Sequence, residues 1–121
     1  MNICLVSLDF RPYRTSGLAI YGESLADGLH AAGHQVTIVA SRRGEAAPSE
    51  IVDGLRVLRV PIGATNWIGF AFRAARRVER LTQETNLDVV HFLDLHFAYA
   101  YRGKYVTTLV QPFRQRLHAK G

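Results

Sequence analysis

One cysteine, Cys4, in 121 residues rules out an internal disulfide and gives no sign of an oxidising compartment. Cys4 lies inside an apolar run, where a small buried hydrophobe is the natural reading rather than a reactive thiol. That run begins at Asn2 with no basic n-region or cleavage site before it, so no secretory leader is read. No apolar stretch approaches the roughly 20 residues that cross a bilayer. The patterns G-x-x-x-x-G-K-[ST] and G-x-G-x-x-G are both missing, which excludes a P-loop and a dinucleotide fingerprint. Histidines, cysteines and carboxylates nowhere gather at ligand spacing, so no metal is expected. Repeats, heptads and low-complexity tracts are lacking as well. These absences leave the expectation of a soluble, cytoplasmic, single globular domain, and a composition 48% hydrophobic and 21% charged is ordinary for one.

Acidic residues run out toward one end, with none after Asp94. Residues 1–65 balance six arginines against six carboxylates, whereas 66–121 hold nine cations and four carboxylates and so carry the whole net charge of +5. The asymmetry suits an anionic partner such as a phosphorylated substrate, lipid headgroups or nucleic acid, and equally a solvated surface. Within it, Trp67 to Arg80 combines aromatics with Arg73, Arg76, Arg77 and Arg80. Such a stretch reads either as an interfacial helix on anionic lipid or as a sheet-covering helix with a solvated arginine face.

The hydrophobic pattern alternates strand and helix. Asn2–Ser7 is a nearly continuous apolar run, as in a strand buried on both faces of a parallel sheet. Residues 8–17 form a polar loop broken at Pro12 and ended at Gly17. Leu18, Ile20, Tyr21, Leu25, Ala26 and Leu29 then fall mostly on one helical face, and Gly33-His34 closes that helix. Gln35–Ala40 is a second strand. Ile51-Val52-Asp53-Gly54 reads as a turn before a third strand at Leu55–Pro61. A second helix fits from Trp67 to about Thr85, with Asn66 as its N-cap. Val89–Leu93 is a fourth strand, Phe97–Tyr101 a short helical piece and Tyr105–Val110 a fifth strand, followed by a basic segment at 111–121. Such alternation implies α/β architecture: a Rossmann-like open parallel sheet of about five strands in order 3-2-1-4-5, helices on both faces, with the topological switch point between strands 1 and 4. Only about a dozen residues follow the fifth strand, too few for a covering helix, so the domain reads as cut short.

Ligands of open α/β sheets bind beyond the carboxyl ends of the strands, and a helix N-terminus there favours anions. Two loops meet that description. Thr15-Ser16-Gly17 offers backbone N–H groups, hydroxyls and close approach at a helix start, which suits a phosphate and equally a plain helix cap. Asp94 and His96 follow the fourth strand, where polar groups converge on a ligand and a histidine can shuttle a proton. His91, inside that strand, reads as structural.

Residues 2–7, Pro12 with Ser16-Gly17, Gly33-His34-Gln35-Val36-Thr37 and Asp88-Val89-Val90-His91-Phe92-Leu93-Asp94-Leu95-His96 together resemble the N-terminal domain of GT-B-fold glycosyltransferases of family 4, kin to the glycogen and starch synthases. The resemblance spans nearly the whole chain. It departs from the family pattern at Ser16, which stands for a glycine, at Leu93, which stands for a histidine, and at Leu95, which stands for a tryptophan. It implies a loop of Arg11, Thr15, Ser16 and Gly17 near the donor phosphates or acceptor. Because Leu93 lacks a polar group, any role of the family's histidine would shift to His96 or be absent, and His96 and Asp94 stand as the catalytic candidates. It also implies a retaining, hexosyl-type transfer from a nucleotide-sugar co-substrate to a sugar or lipid-linked acceptor, with no metal or other cofactor. Peripheral contact with the inner membrane face through Trp67–Arg80 and no nucleic-acid partner complete the expectation. Residues 1–121 then form a single acceptor-side domain whose donor-binding partner domain is absent, inactive alone. The alternatives are a stand-alone, non-catalytic subunit docking a separate donor-binding subunit, and a small receiver-like or flavodoxin-like signalling domain, of which a receiver would want clustered acids where Asp9 stands alone.

Overall fold

A computed structural model describes residues 1–11, 17–42, 46–62, 66–94 and 97–107. Its elements in chain order are β1 (Asn2–Val6), α1 (Gly17–Ala31), β2 (Gln35–Arg42), β3 (Ser49–Val52), β4 (Leu55–Pro61), α2 (Asn66–Glu84), β5 (Val89–Phe92) and β6 (Val106–Thr107). They build one sheet in the order β3-β4-β2-β1-β5-β6. All neighbours are parallel except β3, which runs antiparallel to β4. The predicted 3-2-1-4-5 order is therefore present as β4-β2-β1-β5-β6, and the switch point falls between β1 and β5.

The sixth strand, β3, is the difference from the sequence reading. Asp53 and Gly54 have φ of 53° and 83°, so both central residues of a two-residue hairpin are left-handed, as in a type I′ turn. That turn folds Ser49–Val52 back along β4, and the segment taken for a turn alone becomes an edge strand. A second difference lies at Phe97–Tyr101, which forms successive turns closed by Phe97 N–H to the Asp94 carbonyl and Tyr101 N–H to the Ala98 carbonyl. Residues 108–110 of the predicted fifth strand and the basic segment at 111–121 lie outside the described residues.

Alternating side chains of the central strands enter two separate cores. Cys4, Val6, Val39, Leu58, Val60, Val90 and Phe92 pack under α2, against Phe70, Ala71, Ala74, Val78 and Leu81. Ile3, Leu5, Val36, Ile38, Leu55 and Val57 pack on the other face with Phe10 and with Ala26 of α1. Each large side chain buried in these cores contributes about 1.5–3 kcal/mol, and together they hold the helices to opposite faces. Cys4 is wholly buried, and that burial pushes its thiol up to about 12, so the structural reading of this cysteine holds.

α1 faces the sheet with Leu25, Ala26 and Leu29 of the predicted face, but its first two turns differ. Its buried stripe is Ala19, Gly22, Glu23 and Ala26, while Ile20 and Tyr21 are exposed. Small residues along the stripe let the helix lie close to the sheet. A Cβ at Gly22 would run into Cδ1 of Leu93. At its other end α1 stops as predicted: Gly33 takes φ 94°, its N–H donates to the His30 carbonyl at 3.0 Å, and the His34 N–H donates to the Leu29 carbonyl at 3.1 Å. This pair of bonds is a Schellman C-cap.

Candidate functional site

The carboxyl ends of β1, β2, β4 and β5 share one rim, and backbone hydrogen bonds carry the sheet past the strand ends into its loops. Ser7 N–H donates to the Val39 carbonyl, Ser41 N–H to the Leu8 carbonyl and Leu93 N–H to the Val6 carbonyl, at 3.0, 2.9 and 3.0 Å. Polar side chains are buried along this rim: Ser7, Asp9 and Ser41. The Ser7 hydroxyl donates to the Asp9 carbonyl at 2.8 Å, which folds the loop over the end of β1. Buried polar groups are costly unless engaged, and each of these three has a partner within the fold.

Asp94 and Gly17 both stand at this rim, on adjacent strands' exits. Asp94 follows β5, half-buried, with its carbonyl accepting from Phe97. Gly17 opens α1 and follows the loop from β1, and a Cβ placed there would meet nothing within 4 Å. Open space at a helix N-terminus is what an anion would need. Thr15, Ser16 and His96 lie outside the described residues. Leu93 is 1% exposed and packed against α1, so the residue standing for the family's histidine belongs to the core. His91 projects from β5 toward the α1 side, half-buried, and burial pushes its imidazole below the ordinary value.

Arg11 is not at the rim. Its guanidinium lies among three carboxylates: Nη2 donates to Asp27 and Nη1 to Asp53, both at 2.7 Å, and Nε pairs with Glu23 at 3.0 Å without an aligned hydrogen bond. Burial alone would lower its pKa, but the hydrogen bonds to Asp27 and Asp53 win and raise it. Asp53 precedes the amino end of β4, so the Arg11 side chain points down the α1 face. Phe10 fills the core there and Arg11 sits 5.1 Å above its ring. The buried Arg59 completes the anchor, donating to the Arg11 carbonyl at 2.8 Å and to Glu50 at 3.0 Å. Sequence reasoning missed Glu23 and Arg59. A charged Glu23 on the Ala19–Ala26 stripe was the available signal, since an ion on an apolar stripe demands a counter-ion.

A cavity of about 430 Å³ opens at the opposite end of the sheet, lined by Asn2, His30, His34, Arg56 and Thr85 among others. It lies at the amino ends of the strands, whereas a parallel sheet presents ligands at the carboxyl ends. The rim at the carboxyl ends remains the candidate site. Among the described residues, no group of three or more His, Cys, Asp or Glu is placed to hold a metal ion.

Fold and rim together define a doubly wound α/β domain with its polar groups gathered at the switch point. Residues 16–118 match the glycosyl transferase 4-like domain, and the chain belongs to that family, as the resemblance implied. An uncharacterised glycosyltransferase of Methanocaldococcus jannaschii is 30% identical over 126 residues, which cover 98% of this chain and 31% of that protein. The fold matches sucrose-phosphate synthase from Thermosynechococcus elongatus with a TM-score of 0.60 at 15% identity, over 96% of this chain and 30% of that one. A second chain of that synthase gives 0.62 at 16% identity, with 99% of this chain and 69% of the other covered. The chain thus spans about a third of the length of the curated relative it matches.

Proposed function

We propose that this chain forms the acceptor-side wall of a retaining glycosyltransferase that moves a hexosyl group from a nucleotide sugar to a sugar or lipid-linked acceptor, and that it is inactive alone. The observation that carries the reading is the polar rim at the β1–β5 switch point, in a chain whose relative is about three times longer. Transfer of a glycosyl group needs its leaving diphosphate stabilised, its acceptor held in line and water kept out. The N-terminus of α1, with Thr15, Ser16 and Gly17, would face the donor phosphates. Asp94 and His96 would hold the acceptor hydroxyl and move its proton. Arg11 serves here as a positioning residue, fixing the start of the loop through α1 and the β3–β4 hairpin. Ile20 and Tyr21, exposed near the start of α1, would supply an apolar lip for a donor-binding half. Peripheral attachment to the inner face of a membrane would bring such a domain to a lipid-linked acceptor.

The test has two arms. The chain alone, incubated with nucleotide sugars and acceptors, is expected to show no turnover, and robust transfer would overturn its inactivity. In a protein of the relatives' full length, Gly17→Val and His96→Ala are expected to lower transfer by about tenfold or more while thermal unfolding stays at the parental temperature. Parental kinetics in both variants would remove these residues from the site.

A further inference from the structure

α2 meets its obligation to the sheet with one face, where Phe70, Ala71, Ala74, Val78 and Leu81 are buried. That obligation leaves a second set of apolar side chains unexplained. Ile68 and Phe72 are 47% and 56% exposed, and the Phe72 ring meets Tyr99, itself 54% exposed, edge-on at 5.6 Å. Ile68, Phe72, Arg76 and Arg80 stand four residues apart, so they form one row along the outer surface of the helix. Arg73 and Arg77 are engaged within the fold, by the Pro61 carbonyl at 2.9 Å and by Glu84 at 3.9 Å. Arg76 and Arg80 are exposed and make no ion pair among the described residues. Apolar residues followed by cations along one outward row match an element that lies in a membrane interface, with rings in the acyl boundary and guanidiniums among the phosphates.

We propose that Ile68, Phe72 and Tyr99 insert into the surface of an anionic bilayer while Arg76 and Arg80 bind its headgroup phosphates. The inference rests on the peripheral attachment proposed above and supplies its residues and its lipid chemistry. Charge complementarity selects the occupant: the whole net charge of +5 belongs to residues 66–121, which begin with α2, and an anionic surface attracts each such cation. The geometry also sets an orientation. α2 starts just after the carboxyl end of β4, so the apolar end of the row adjoins the polar rim and docking would bring that rim toward the bilayer.

Co-sedimentation of the chain with vesicles of phosphatidylcholine, and of phosphatidylcholine mixed with phosphatidylglycerol, tests the proposal. Binding to the mixed vesicles alone, weakened by salt, is the expected result. The double variant R76Q/R80Q should lower that partition by about thirtyfold, and I68S/F72S by about tenfold or more. R76Q/R80Q should unfold at the parental temperature, and I68S/F72S should stay folded with a modestly lower unfolding temperature, from loss of the Phe72–Tyr99 contact. Binding unmoved by either double variant overturns this face while leaving peripheral attachment standing. No binding to either vesicle overturns both. Self-association that is lost in I68S/F72S, without vesicle binding, makes the face a contact between copies and overturns the proposal. Sugar transfer is not read in any arm, so the enzymatic reading stands or falls separately.

Discussion

Arg11 ties three parts of the chain with one side chain: the loop after β1, the middle of α1 through Glu23 and Asp27, and the hairpin turn through Asp53. Its own side chain is 16% exposed and Glu23 is nearly buried, whereas Asp27 and Asp53 are open to solvent. The two solvated pairs add little, because water screens them. The pairing with Glu23 matters most, since removing the cation leaves a carboxylate with little access to water. Arg11→Gln is therefore expected to lower stability by about 2–3 kcal/mol, measured by urea unfolding. A loss below about 0.5 kcal/mol would reduce the cluster to a surface feature. Nothing periodic in the sequence announces this cluster, because its partners sit 12, 16 and 42 positions from Arg11. His91 provides a second residue-scale expectation. Its imidazole is held below the model-compound value of 6.5 by burial, so the unfolded chain binds a proton more readily than the folded one. Stability should then fall as pH drops through 6.5 and below, and remain intact above it. The difference between the parent and His91→Asn, followed by denaturation across that range, isolates this group from the other histidines. A flat difference would show that His91 does not contribute.

Elements were legible in proportion to their apolar signal. β1, β2, β4 and β5 are short runs of Val, Ile and Leu, and a strand buried on both faces has no other sequence signature. β3 carries Ser49, Glu50, Ile51 and Val52, which alternate between exposed and half-buried, so it contributes no full core residue for a pattern to detect. The Asp53-Gly54 pair was the stronger clue, because that dipeptide favours the left-handed pair of a tight hairpin. In α1 the apolar signal held at Leu25, Ala26 and Leu29, which pack on the core, and misled at Ile20 and Tyr21, which face outward, while a stripe of Ala19, Gly22 and Glu23 is buried instead. Gly22 tests that stripe. An alanine in a helix interior ordinarily gains about 1 kcal/mol over glycine, yet here the added methyl meets Leu93 Cδ1. Gly22→Ala is expected to destabilise by about 1–2 kcal/mol from overpacking, and to recover part of that loss in a Leu93→Ala background. A double-mutant cycle with no coupling would mean that α1 and the residue leaving β5, Leu93, are not in tight contact.

At the scale of the molecule, the interior is divided between two cores separated by the sheet, and the outermost strands are the least protected. β6 has two described residues and β3 four, both with exposed side chains, whereas β1 and β2 are bonded on both sides. Hydrogen exchange should rank them accordingly: amides of Cys4 to Val6 and Ile38 to Ala40 should exchange only on global opening, those of β3 and β6 by local opening. Equal protection across the sheet would contradict that ranking. The candidate site was legible only as a place, the loops at the switch point, since topology alone locates it. Its buried Ser7, Asp9 and Ser41 were not, because isolated polar residues at strand ends look like the start of any loop.

The central position of β1 has a consequence for synthesis. One of its two neighbours, β2, follows within about thirty-five residues, but the other, β5, is separated from it by most of the chain, and Asn2 N–H reaches Asp88 across 86 positions. As the polypeptide leaves the ribosome at about 5–20 residues per second, β1 waits several seconds for β5 with one edge bare. During that interval it is an open template for strand addition, so β1, which precedes the other described strands of this sheet, is also among the last to be enclosed.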